Sequence, residues 1–189
     1  TLNELVISEG TKMSKSKGNT TDPWDVFNHQ GADAMRWYLY TVATPWSPRY
    51  FHEDAVKEAQ QKFMGTLKNV YSFFVLYANI DKFNPSVHKS ERKNYKLIDQ
   101  WILSRFNSVI KNVRILMEEY DVTRSSRMID AFVDDLSNWY LRRCRKRFWR
   151  FDLNEDKITA YSVLYGILVE LSKLIAPFVP FIAEDIYRN

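Results

Sequence analysis

Three lysines alternate with small polar residues across Lys12-Met13-Ser14-Lys15-Ser16-Lys17 and give way to Gly18-Asn19. Ammonium groups on flexible stems can follow oxygens whose charge grows as a phosphate bond breaks, and the Ser14 and Ser16 hydroxyls can donate hydrogen bonds. The composition suits a loop that holds phosphates; in isolation the same string also describes a solvated lysine-rich turn. A second constellation lies far downstream, where Trp139 to Arg150 carries six basic residues among its last nine, arginine outnumbering lysine five to one. With Arg142 at zero and about 100° per residue, Arg143, Lys146, Arg147 and Arg150 fall within roughly 140°, leaving Arg145 outside. Trp139 lies in that arc and Trp149 beside it. Guanidinium planes interleaved with indoles fit RNA phosphates and splayed bases, so Trp139, Arg142, Arg143, Lys146, Arg147, Trp149 and Arg150 form a candidate RNA-binding set. The alternatives are a solvated helix end paired with Asp134, Asp135 or Asp152, tryptophans that serve as core, and a surface docked against another part of the protein.

The elements that must position these residues are mostly helices. Leu5-Val6-Ile7 reads as a strand and Glu9-Gly10 as the turn leading to the lysine loop. Asp22 reads as an N-cap, with Pro23 at the first helical position and Asp25 in the first turn, and Gly31 stops that helix. The next begins at Asp33 and buries Ala34, Met35, Tyr38, Leu39 and Val42. Thr44-Pro45-Trp46-Ser47-Pro48 breaks the pattern and sets a domain boundary, with Trp46 and Phe51 expected to pin the crossing. Beyond it the spacing predicts helices to about Ile80, from Tyr95 to Tyr120, from Arg124 towards Phe151, from Asn154 or Asp156 to about Ile175, and a last one from Phe181. The fold class is mainly α, a helical bundle preceded by a short α/β remnant. Within the third bundle helix, Ile129, Phe132, Val133 and Leu136 point at roughly 80° to 180° on the same wheel. That is where Arg143 and Arg147 later appear, so one straight helix cannot bury the whole line.

The chain has 189 residues, 46% of them hydrophobic and 26% charged, with a net charge of +4. Five glycines and six prolines argue against long disordered segments. A single cysteine, Cys144, cannot form an internal disulfide, which fits a reducing compartment. His29, His52 and His88 lack metal spacing, and no metal site is expected. No apolar run reads as a membrane span and no signal peptide is visible. The first residue is Thr1, inside an expected strand, which predicts a piece of something larger.

Lys12 to Asn19 resembles, without a gap, the K-M-S-K-S-x-G-N signature loop of class I aminoacyl-tRNA synthetases. The resemblance continues through Asp22-Pro23 and through Gly31-Ala32-Asp33-Ala34-Met35-Arg36. The run Leu136 to Trp149, with Pro45-Trp46, is more similar to isoleucyl members than to valyl, leucyl or methionyl ones. The resemblance implies an ATP-dependent ligase joining isoleucine to tRNA. In it Lys12, Met13, Ser14, Lys15 and Ser16 close over ATP, which is bound with Mg2+. Lys15 and Lys12 steady the leaving pyrophosphate, and Lys17 sits at a variable position with no role assigned. Residues 1–45 would end a catalytic domain and 46–189 form an anticodon-binding domain, in a monomeric cytoplasmic enzyme. The sequence shows neither an H-I-G-H motif nor an amino-acid pocket or editing domain, so the 189 residues alone are expected to be inactive and to hold no cofactor tightly. A non-catalytic helical RNA-binding module is the alternative from a different class.

Overall fold

The computed structural model describes residues 5–6, 13–14, 16 and 18–189. A two-residue parallel pairing joins β1, Leu5–Val6, to β2, Arg49–Tyr50. Helices build the rest: α1 (Pro23–Gln30) and α2 (Ala32–Thr41), then α3 (Glu53–Ala59) running through a π-helical stretch at Gln60–Gly65 into α4 (Thr66–Ile80). After them come α5 (Leu97–Glu118) and α6 (Val122–Asp134), a second π segment at Asp135–Leu141, α7 (Arg142–Phe148), α8 (Glu155–Ile175) and α9 (Pro180–Arg188).

Local chemistry sets most helix ends where the sequence put them. The Asp22 carboxylate accepts from the Trp24 N–H at 2.9 Å, Pro23 opens α1, and Gly31 ends it at φ 87, a conformation that costs glycine little. Asn154 rather than Asp156 caps α8, accepting from the Lys157 N–H at 3.0 Å. Phe51 is buried edge-on to Tyr38, but Trp46 is 68% exposed and pins nothing. Tyr120, the expected end of its helix, follows the end of α5 at φ 60 and is 82% exposed.

The hydrophobic core runs from Val26, Ala34 and Trp37 into the bundle without interruption. Trp37 stacks on Phe63 at 3.6 Å and meets Phe178 edge-on at 6.2 Å. Both ends of α2 are held by the bundle. Its last carbonyls, which no helical N–H can reach, accept from α6: Ser126 Oγ donates to Tyr40 O, Arg127 Nε to Thr41 O at 3.0 Å, Arg127 Nη2 to Val42 O, and Thr123 Oγ1 to Ala43 O. Nearer its start, Arg36 donates to the Pro177 and Phe178 carbonyls at 2.7 and 3.0 Å, while Asp33 accepts from the Ile182 N–H at 2.8 Å and so caps α9. Thus the Gly-Ala-Asp-Ala-Met-Arg run acts as a clasp on the α8–α9 corner.

At the centre lies α8, long and apolar enough to cross a membrane by length and composition, which the sequence reading missed. Its buried residues, among them Tyr161, Leu164, Leu168 and Ile175, instead pack against α4, α5, α7 and α9.

Candidate nucleic-acid interface

The loop and the arginine helix are built on different principles. In the loop, Gly18 adopts φ 65, and the Asn19 side chain reaches back to accept from the Ser14 N–H at 2.8 Å. Gly18 and Asn19 thereby close the turn on itself, the Ser14 and Ser16 hydroxyls lie 2.7 Å apart, and Met13 anchors the start against the core. Lys12, Lys15 and Lys17 lie outside the described residues.

The arginine helix resolves the conflict in its own pattern through the π segment. An i→i+5 stretch takes up about one extra residue and turns everything downstream back by roughly 100°. The apolar line of Ile129, Phe132, Val133 and Leu136 therefore continues as Tyr140, Leu141, Cys144 and Phe148, all buried. The basic half of the helix stays on the bundle, with one face of it exposed.

Arg142, Arg143, Arg145 and Lys146 all lie on the exposed face. Arg145, set outside the arc by a wheel followed in one rotational sense only, belongs on that face. Among the described residues none of Arg142, Arg145 and Lys146 has a carboxylate within ion-pair distance. Arg143 lays its guanidinium over the Trp139 ring, 3.9 Å from the centroid, and Trp101 of α5 lies 6.4 Å from the same ring. Trp139 and Trp149 are each about half exposed, so neither is core. Arg150 is exposed and 3.9 Å from Asp156. Phe151 falls past the end of α7 in full solvent.

Arg147 is the correction to the candidate set. Only 7% exposed, it donates through Nη1 to Asp99 Oδ1 at 2.7 Å and through Nη2 to the Asp156 carbonyl at 3.1 Å, with Nε 2.9 Å from Asp156 Oδ1. Its fork is committed inside the protein, because α5 and α8 each bring a carboxylate to it. Asp99 is fully satisfied: Oδ1 also accepts from the Tyr140 hydroxyl at 2.9 Å, and Oδ2 accepts from the Lys96 N–H at the start of α5. Burial lowers the Arg147 pKa, but the Asp99 hydrogen bond and charge outweigh it, so the net shift is upward. Burial and the Asp99 charge hold the Tyr140 hydroxyl well above its ordinary range, and burial raises the Cys144 thiol, leaving it protonated and unreactive. Asp99 was legible in principle: it sits in register with Ile102, Phe106, Val109, Val113 and Leu116, a carboxylate on a buried stripe. A second buried pair, Lys157 Nζ to Asp81 at 2.5 Å, also holds the Arg150 carbonyl at 2.6 Å and ties the end of α7 to α4. Among the described residues no group of three or more His, Cys, Asp or Glu side chains is arranged to hold a metal.

Two family models match the chain: tRNA synthetases class I (I, L, M and V) over residues 2–47, and the anticodon-binding domain of tRNA ligase over 99–189. The isoleucine–tRNA ligase of Clostridium novyi is 51% identical over 188 residues and that of Clostridium tetani 52%, each across 100% of this chain and 18% of the relative. The chain thus spans about a fifth of the length of the curated relatives it matches. Among solved structures, Mycobacterium tuberculosis methionyl-tRNA synthetase bound by methionyl-adenylate superposes at TM-score 0.77 with 18% identity, over 96% of this chain and 36% of that one. The LeuRS of an Agrobacterium radiobacter ternary complex, LeuRS-tRNA-LeuAMS, superposes at 0.73 with 20% identity, over 98% and 21%. Those likenesses fix the fold, and the end-to-end identity narrows the family. The chain belongs to the class I aminoacyl-tRNA synthetases, on their isoleucyl branch.

Proposed function

We propose that the protein containing this chain activates isoleucine with ATP and transfers it to tRNA, and that this segment supplies the pyrophosphate-facing loop and part of the tRNA-binding surface. The observation that carries the reading is the pairing, in a chain matching isoleucine–tRNA ligases end to end, of a K-M-S-K-S-x-G-N loop with cations on α7 that lack ionic partners among the described residues. Class I synthetases use ATP. Mg2+ enters with the nucleotide, as a small ion that keeps its waters and is held largely by phosphates. Lys15, aided by Lys12, steadies the departing pyrophosphate, while Met13, Ser14 and Ser16 shape the loop around ATP. Residues 1–45 complete the catalytic domain and 46–189 form the anticodon-binding domain of a monomeric, cytoplasmic enzyme. Arg142, Lys146 and Arg150 hold RNA phosphates, with Arg145 joining them and Arg147 withdrawn. Trp139, Arg143 and Trp149 offer flat faces to bases.

Activation is the test. In the full-length protein, Lys15→Ala should slow isoleucine-dependent exchange of pyrophosphate into ATP by about 10²-fold or more, with less effect on substrate binding, as expected for a group that acts on developing charge. Near-normal exchange in that variant overturns the assignment of Lys15.

A further inference from the structure

Gly31 is shared by two helices. Its N–H donates to the Phe27 carbonyl at 3.0 Å and ends α1, while its own carbonyl accepts the Met35 N–H in the first turn of α2. At φ 87 and ψ 158 it occupies a region of backbone space essentially reserved for glycine, so the angle between the two helices is one that no other residue holds without strain. The arms of this corner carry different things. The bundle fastens α2 at both ends. The other arm, α1, carries the lysine loop, because Thr20 and Thr21 alone stand between Asn19 and the Asp22 cap. Gln60, the first residue of the π-helical stretch Gln60–Gly65, braces that arm by donating through Nε2 to the Gln30 carbonyl at 2.7 Å, and Gln30 Nε2 reaches Glu53 of α3 at 3.2 Å. Three residues along the same stretch, Phe63 stacks on Trp37 of α2. One π-helical stretch therefore grips both arms, and such stretches are frequent at functional positions.

We infer that Gly31 and Gln60 are positioning residues for the activation step: they fix the tilt of α1, and through it the place at which the lysine loop meets the phosphates of ATP. The inference rests on the activation reading above and assigns the geometry of that step to the helical part of the chain rather than to the loop alone. The 8 residues of α1 span about 12 Å, so a tilt of about 10° at Gly31 moves the loop end by about 2 Å. A misplacement of about 1 Å can cost about 10²-fold in rate.

The test is isoleucine-dependent exchange of pyrophosphate into ATP by the full-length protein, measured per folded molecule and well below the melting temperature of each variant. A Cβ added at Gly31 meets nothing within 4 Å, so Gly31→Ala acts through the backbone angle alone. It should lower kcat by about 10- to 100-fold and leave KM for ATP and for isoleucine nearly unchanged. Gln60→Glu, which sets an acceptor against the Gln30 carbonyl in place of a donor, should lower kcat by a smaller factor, and Gln60→Lys, which keeps a donor, should recover most of it. In a Lys15→Ala background neither change should cost much more, because the group they misplace is already gone. Wild-type kcat in Gly31→Ala makes the corner merely structural and overturns the inference; if that variant does not fold, equal kcat in Gln60→Glu and Gln60→Lys does the same. Losses that multiply in full with that of Lys15→Ala also overturn it, since the corner then acts elsewhere than on the loop. Near-normal exchange in Lys15→Ala alone overturns the activation reading itself, and this inference falls with it.

Discussion

Arg147 and Lys146 are adjacent on one helix, and Arg142 is little more than a turn away, yet they belong to different parts of the protein's physics. Arg147 faces a carboxylate from α5 and another from α8 and is buried; Arg142 and Lys146 face solvent and no described carboxylate. Residue type does not decide the role, since two arginines take opposite fates. What decides it is whether another helix delivers a counter-charge, and that is fixed by packing. A cationic run can therefore combine scaffold and ligand surface in alternation, the buried member holding the helix in the orientation that displays the others.

The comparison can be broken most severely from the buried side. Asp99→Ala leaves the Arg147 charge without its main partner in a nearly dry site, a change that costs about 3–5 kcal/mol. At roughly 2–4 °C per kcal/mol for a chain of this size, the melting temperature should fall by about 6–20 °C. Arg142→Ala should move it by no more than about 2 °C. Similar losses in the two variants would erase the distinction.

A smaller effect is expected on the exposed side. Each phosphate contact contributes about 0.7 to 0.9 to the slope of log affinity against log salt, so Arg142→Gln with Lys146→Gln should flatten the slope for tRNA by more than one unit and leave the fold intact. An unchanged slope in the 189-residue chain, joined to a lower melting temperature in the full-length protein, would show the face docked against the catalytic part instead.

Acid gives the smallest effect, at the junction of the two sides. Burial pushes the Asp156 carboxyl up, but the Lys96 hydrogen bond and the Arg147 and Lys96 charges bring it below its ordinary value. A depressed folded pKa contributes stability that is full above the unfolded value of about 3.9 and is lost as pH falls through the folded one. Asp156→Asn should accordingly melt lower than wild type at pH 7, with the gap narrowing as pH falls below about 4. Asp33, held above its ordinary value mainly by burial, acts in the opposite sense, so the difference between the two proteins is the quantity to follow.

Much of this arrangement was legible in the chain. Asp22-Pro23 and Gly31 bracket α1, Asn154 starts α8, and the stripe from Ile102 to Leu116 runs along α5, because caps and periodicity act within a few residues. The loop was legible as a motif, and Gly18 and Asn19 acquire their reason only in the closed turn. Arg147 could not be placed, because a wheel of constant pitch has no means of registering the π segment and its partner lies 48 residues away. The clasp of Asp33 and Arg36 was hidden for the same reason, its acceptors and donor lying more than 140 residues downstream.

The four acceptor carbonyls of residues 40–43, held by Thr123, Ser126 and Arg127, bear on how the molecule opens. Helix termini ordinarily fray with little free energy, so their amides exchange with solvent quickly. Here the last turn of α2 is spliced to the first turns of α6 and cannot loosen without stripping that helix of its own partners. The amides of Tyr40, Thr41 and Val42 should consequently exchange at the rate of α6, as one cooperative unit, and Arg127→Ala should release them to exchange faster while α6 itself stays protected. The stretch that follows the lysine loop then reports on the integrity of the bundle.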